Sequence, residues 1–360
     1  MKRNYFNNLG SFRFILILIF ILLIFVGWFF FFYSFENEAA INSCGDKTSY
    51  GNCSKIQPYF CDDGFLIAKA SVCGCSNLKT REGETCISKY QTEPKKISLN
   101  YTLNGVHKKI DFLVYKGLSD YLFGLPVFLS GNNLSRGDFK LRNINNLEQR
   151  ELLLPLVVAI QDSEKNELDQ VRTAISIVQN IPYNSSGKKL NFVGAGDTEY
   201  QRYPYETLYD FSGLCGEKTE LLSFLLKELG YGSASFYYKE ENHEAAGIKC
   251  PVSESIAGSG YCFIETTGPA ILTDDKEEYF GVGVLESTPE IFVLSEGNAL
   301  DKGIDEYSDA DKWITLNRKI KTEQERMSIS NFNKWKFLVN KYGLEIPDFL
   351  SEIVRNLESK

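Results

Sequence analysis

Histidine is scarce in this chain of 360 residues: only His107 and His243 occur. That excludes a zinc site built on several imidazoles. A basic stripe is also lacking. With a formal net charge of -8 and a pI near 5.1, the chain has no clustered Lys and Arg to neutralise phosphates, which argues against nucleic acid as a partner. Internal repeats are absent, so a solenoid or propeller is excluded. What remains is a globular composition, 43% hydrophobic and 24% charged, in a chain long enough for one large domain or two modest ones.

One apolar run is long enough to cross a bilayer. Residues 14–33 carry no charge and are nearly all Ile, Leu and Phe, and twenty helical residues would rise about 30 Å. Lys2, Arg3 and Arg13 precede the run, and Glu36 and Glu38 follow it. The positive-inside rule then predicts a cytoplasmic N-terminus (1–13), a single-pass transmembrane helix (14–33) and an extracytoplasmic remainder. The rival reading, a cleaved signal peptide, expects a shorter apolar core.

The nine cysteines fall into two sets. Cys44, Cys53, Cys61, Cys73, Cys75 and Cys86 crowd into a glycine-rich segment, 34–94, with few large aliphatics to build a core. On the oxidising side of a membrane such a segment reads as a small disulfide knot. Metal binding is the competing reading, but Cys73-Gly74-Cys75 lacks the two-residue spacer of zinc knuckles. The second set, Cys215, Cys250 and Cys262, is odd in number. Cys250 and Cys262 bracket a Gly/Ser-rich loop between strand-like runs. Their pairing would leave Cys215 as a free thiol, which in that compartment is either an intermolecular bridge or a functional group.

Alternating Leu99, Tyr101 and Leu103, the turn Asn104-Gly105, and Ile110, Phe112 and Val114 predict a β-hairpin, within a β pattern running from Lys96 to Leu122. Val127 to Arg142 adds a candidate strand pair, giving a β-rich accessory region over 95–165. Helical content from Leu147 to Asp162 is interrupted by Pro155. Leu168, Val171, Ile175 and Val178 predict a helix ending near Asn180. A polar, Gly-rich stretch follows, from Asn184 to Asp197. Strands are expected at 233–238, 244–249, 261–266, 278–285 and 291–294. A charged helical region over 301–360 should pack through Trp313, Ile320, Trp335, Phe337, Leu338 and Tyr342. Helices followed by antiparallel strands indicate the α+β class.

Gly213-Leu214-Cys215-Gly216-Glu217-Lys218 opens a helix whose apolar stripe is Leu221, Leu222, Leu225, Leu226 and Leu229, with Gly230 as its stop. Cys215 thus falls in the first turn, where unpaired N–H groups and the dipole favour a thiolate and could hold an oxyanion. His243, at the start of a strand, is the only histidine downstream. Glu265, on the next strand, is placed to orient the imidazole. If His243 faces Glu265 directly across the strand pair, Cys250 and Cys262 are offset along it and their disulfide requires an irregular strand end. Tyr203 and Tyr205 are either cleft residues or core aromatics, and His107 reads as a solvated strand residue.

The run Tyr203-Pro-Tyr-Glu-Thr-Leu208, the Gly213-to-Thr219 helix opening and Leu226-Lys-Glu-Leu-Gly-Tyr231 resemble the core of the transglutaminase-like superfamily, in particular its prokaryotic, largely archaeal, membrane-linked members. The likeness covers roughly 168–285, within a core assigned to 166–300. It implies a papain-like fold with a Cys-His-acid triad, here Cys215, His243 and Glu265. It also implies acyl transfer or hydrolysis at a Gln side chain or peptide amide of a protein or peptide substrate, with no metal or organic cofactor. Two positions depart from the family pattern. Glu265 stands where Asp is usual, and Gly216 where an acid often follows the cysteine. These departures leave room for an inactive relative that serves as a surface binding or scaffold module.

Overall fold

In the computed structural model, residues 21–28, 42–125, 135–184, 188–192, 196–273, 278–279, 283–323, 327–346 and 348–358 are described. Of the segment 14–33 only 21–28 is included, as helix α1. Among the described residues no helix is long and apolar enough to cross a membrane. On the described residues the expected transmembrane helix is therefore corrected; the rest of 14–33, and residues 1–13, expected to be cytoplasmic, lie outside them.

The described chain is α+β, with small antiparallel sheets. Its first folded unit is the cysteine-rich segment. Disulfides join Cys44 to Cys61, Cys53 to Cys73 and Cys75 to Cys86. They staple two short hairpins, β1 (Tyr59–Asp62) with β2 (Phe65–Ala68) and β3 (Thr80–Glu82) with β4 (Thr85–Ile87), around a single helical turn α2 (Ala70–Cys73).

Strands β5 (Pro94–Leu103) and β6 (Val106–Tyr115) form the expected hairpin. Asn104 and Gly105 both take positive φ, 50° and 78°, as a two-residue hairpin turn requires. Ile97, Leu99, Tyr101, Ile110, Phe112 and Val114 all point into the main core. The β pattern stops there: residues beyond Tyr115 form helix α3 (Lys116–Phe123). The expected strand pair over 127–142 is likewise corrected. Its described part is helix α4 (Arg136–Ile144), nucleated by a capping box in which Ser135 Oγ accepts from Asp138 N and Asp138 accepts from Ser135 N, both at 3.1 Å. The described residues of region 95–165 therefore form one hairpin and three helices, the third being α5 (Leu147–Ser163).

Pro155 does not interrupt α5. A proline leaves the carbonyl four residues earlier without its helical donor. That carbonyl belongs to Glu151, and Lys79 Nζ, reaching over from the cysteine-rich segment, donates to it at 2.7 Å. The segment also docks through Leu66 N on Asp162 Oδ1 (2.9 Å) and Gly45 O on Gln170 Nε2 (2.8 Å). Contact at Gly45 is so close that a Cβ there would lie 1.9 Å from Gln161 O.

Helix α6 (Glu167–Gln179) ends at Asn180. It is followed by the hairpin β7 (Lys188–Phe192) with β8 (Gly196–Tyr200), formed where a polar stretch is expected, and then by helix α7 (Pro204–Asp210). Next comes helix α8 (Cys215–Glu228), closed by Gly230 at φ +90° with Tyr231 N donating to Leu226 O. Helix α8 lies on a four-stranded antiparallel sheet with strand order β11, β10, β9, β14. Its strands are β9 (Ser233–Tyr238), β10 (His243–Lys249), β11 (Tyr261–Ile264) and β14 (Glu290–Ser295). Leu221, Leu222, Leu225 and Leu226 share the main core with Ala246, Ile248 and Ile264. Ala234, Phe236, Ala245 and Phe263 form a second apolar cluster. Both faces of the central strands are therefore covered. The expected strand at 278–285 is instead the short pair β12 (Glu278–Tyr279) and β13 (Gly283–Val284). Helices α9 (Asp305–Glu323), α10 (Ile329–Tyr342) and α11 (Asp348–Glu358) build a separate core around Trp313, Ile320, Trp335 and Leu338. Phe337, expected to pack there, is 62% exposed.

Candidate active site

The local sequence explains how Cys215 comes to start α8. Leu214 is extended at the N-cap, with φ -75° and ψ 167°. Two residues inside the helix, Glu217 turns back: its Oε2 accepts from Leu214 N and its Oε1 from Arg202 N, both at 2.8 Å. The same carboxylate meets the Arg202 guanidinium at 3.1 Å. The N-terminus is thereby fixed by a buried side chain, and Cys215 sits at the first helical position, half-buried. There the N–H groups of Cys215 and Gly216 have no intrahelical acceptor. All eight other cysteines are bonded in pairs, so Cys215 is the free thiol.

His243, the first residue of β10, is 3% exposed and hydrogen-bonded to Cys215 on one side. On the other, its Nε2 meets Glu265 Oε2 at 2.8 Å. With Nε2 taken by Glu265, Nδ1 is the nitrogen left to face the sulfur. Burial alone would push the imidazole down. The hydrogen bonds to Cys215 and Glu265, with the negative charges of both, outweigh it and raise His243 to about 10. The ring is then an imidazolium at neutral pH and donates from both nitrogens.

Glu265, 1% exposed, lies just past the end of β11. Its Oε1 accepts from Thr266 N, Thr267 N and Thr267 Oγ1, each at 2.8 Å. Burial would raise the carboxyl, but His243 and these donors hold it below the ordinary range. The extra methylene relative to Asp is taken up by this anchoring on the loop that follows.

The register differs from the expectation. Ala246 pairs with Ile264 and Ile248 with Cys262, so by extension Ala245, not His243, stands opposite position 265. His243 and Glu265 are thus diagonal neighbours where the strands end. The shift by two residues also brings Cys250 and Cys262 to a Cα separation of 5.8 Å, where they form a disulfide with Cys250 N still donating to Gly260 O. No irregular strand end is needed.

Comparison of the chain with models of known protein families, with curated proteins and with solved structures found no match. The chemistry must therefore be read from the site itself.

Several functional neighbours escape the sequence pattern. Gly216 packs against the Glu244 carboxylate, and a Cβ there would lie 2.4 Å from Glu244 Oε2. This accounts for glycine rather than an acid after the cysteine. Glu244 is buried and paired with Lys140 Nζ at 2.6 Å and with Arg136. Lys140 also reaches Glu220 Oε1 at 3.3 Å. Burial pushes Glu220 up to about 7 despite Lys140, whereas the two cations hold Glu244 low. Tyr183, joined to Gly213 by a β-bridge, stands near the site: burial and the charges of Cys215 and Glu265 raise its phenol. Tyr203 and Tyr205 are core residues, and the Tyr205 hydroxyl accepts from Tyr115 N at 2.6 Å, far from an oxyanion role. His107 is exposed in β6. Lys218 is the most informative omission. Its position on the stripe of Leu221, Leu222 and Leu225 puts a charge on the apolar face, and that misfit is visible in the sequence.

Proposed function

We propose that this chain is a thiol acyl-transfer enzyme of the transglutaminase-like kind, with a papain-like core and a Cys215–His243–Glu265 triad. One observation carries the reading. A free thiol at a helix N-terminus is hydrogen-bonded to a buried histidine, which is itself held at 2.8 Å by a buried carboxylate. The four disulfides support a disulfide-forming compartment for the folded part of the chain.

In this mechanism the Cys215 thiolate attacks the carbonyl carbon of a Gln side chain or peptide amide. A C–S bond forms, and the carbonyl π pair moves onto oxygen, facing the N–H groups of Cys215 and Gly216. Collapse of the oxyanion breaks the C–N bond. His243 gives its proton to the leaving ammonia or amine, and a thioester remains. Water or a second amine then delivers a proton to His243 and attacks the thioester. An acid or new amide leaves, and the thiolate–imidazolium pair is restored. Glu265 stabilises the imidazolium and fixes the plane of its ring.

The test is to trap the thioester. Incubation with a Gln-containing protein, followed by acid quench and intact mass, should show one adduct on Cys215, absent in Cys215→Ser and strongly reduced in His243→Ala. Iodoacetamide should label native Cys215 rapidly at pH 6. Equal, slow labelling of the native protein and His243→Ala at neutral pH would sink the activated-thiol reading and leave the scaffold-module alternative.

A further inference from the structure

Lys218 lies one helical turn beyond Cys215 and is fully buried. Its ammonium donates to three backbone carbonyls: Ile181 O at 2.6 Å, Thr267 O at 3.2 Å and Gln179 O at 3.3 Å. No side-chain carboxylate shares those bonds. Each carbonyl belongs to a segment that builds the site. Gln179 ends α6, and its own side chain donates to Glu265 O at 2.9 Å. Ile181 leads into Tyr183 and its bridge to Gly213. Thr267 supplies two of the donors that hold Glu265 Oε1.

Burying an uncompensated ammonium costs several kcal/mol, so its retention calls for a reason. Charge supplies one. In the thiolate–imidazolium state Cys215 and Glu265 are each negative and His243 is positive, which leaves the triad with one net negative charge. Lys218 brings that sum to zero. The groups acting on it through space are the carboxyl groups of Glu265 and Glu345, and its hydrogen bonds go to the three neutral carbonyls. We infer that Lys218 is a positioning residue that neutralises the triad and clamps the Glu265–Thr267 loop against the helix that starts at Cys215. This rests on the thiol acyl-transfer reading. Burial lowers Lys218 to about 8, so it is charged over the pH range in which the neutralisation is needed.

The experiment is the alkylation of Cys215 by iodoacetamide at pH 6 and pH 9 in the native protein, Lys218→Met and Lys218→Gln. The Gln variant keeps N–H donors for the carbonyls but removes the charge. In both variants the ratio of the pH 6 rate to the pH 9 rate should fall about tenfold relative to the native protein. If the variants lose thermal stability but keep the native rate ratio, Lys218 is a structural clamp only and the inference is overturned. If the native protein itself shows no rapid labelling at pH 6, the triad reading fails instead, and the two failures are told apart. Should neither variant fold, native protein carrying 13C-labelled lysine supplies the measurement. A Lys218 Cε shift typical of a neutral amine at pH 6 overturns the inference, whereas a charged amine there supports it.

Discussion

At the scale of single residues, the site turns on how Glu265 is held. One oxygen faces His243 and the other accepts three donors from Thr266 and Thr267. Glu265→Gln keeps the shape but removes the charge that stabilises the imidazolium. It should lower the proposed acyl transfer by on the order of 10²-fold or more, read as kcat/KM on a Gln substrate. Glu265→Asp cannot span both sets of partners, and should fall by about tenfold. His243 gives a second prediction, in stability. Its folded value of about 10 lies above its ordinary 6.5, so its contribution is complete below pH 6.5 and is lost as pH rises through about 10. Lys218 works in the opposite sense, but only above about 8. Between pH 6.5 and 8 the Cys215→Ser protein, in which no thiolate offsets the bound proton, should therefore lose stability relative to Cys215→Ser/His243→Asn, by up to about 1.4 kcal/mol per pH unit. Urea unfolding midpoints across that window check it, and parallel curves would refute it.

At the scale of elements, the hairpin of β10 and β11 carries the histidine and the acid at its open end and the Cys250–Cys262 disulfide at its closed end. Replacing both cysteines with Ser should cost roughly 2–3 kcal/mol, measured by chemical denaturation under non-reducing conditions. This hairpin also shows what the sequence could tell. Strand identity was legible from apolar composition, and β5–β6 from Asn104-Gly105, because both signals are local. Helices α6 and α8 were legible from periodicity. The register of β10 on β11 was not, because parity allows several pairings two residues apart and packing selects among them. Helix α4 was misread as strand because its capping box, Ser135 with Asp138, outweighs the β propensity of the residues before it. The Lys140–Glu220–Glu244 cluster was invisible for a different reason. Its partners lie 80 and 104 residues apart, and no local pattern marks a lysine that will be buried between them.

At the scale of the whole molecule, the cysteine-rich segment is joined to the main core at a flaw in α5. Lys79 supplies the donor that Pro155 withholds from Glu151 O, and its ammonium also pairs with the Glu151 carboxylate at 3.2 Å. Lys79→Ala should cost about 2 kcal/mol, and about 1 kcal/mol less when Pro155→Ala restores the helical N–H. Thermal unfolding of the four proteins in that double-mutant cycle checks the coupling, and equal costs in both backgrounds would disprove it. The arrangement also bears on descent. A proline inside a core helix is tolerated only while its neighbour lends a lysine, so the lysine cannot be lost without harm while the proline stays. Lineages that shed the cysteine-rich segment should be found to have replaced Pro155, and those that keep Pro155 should keep a cation at position 79.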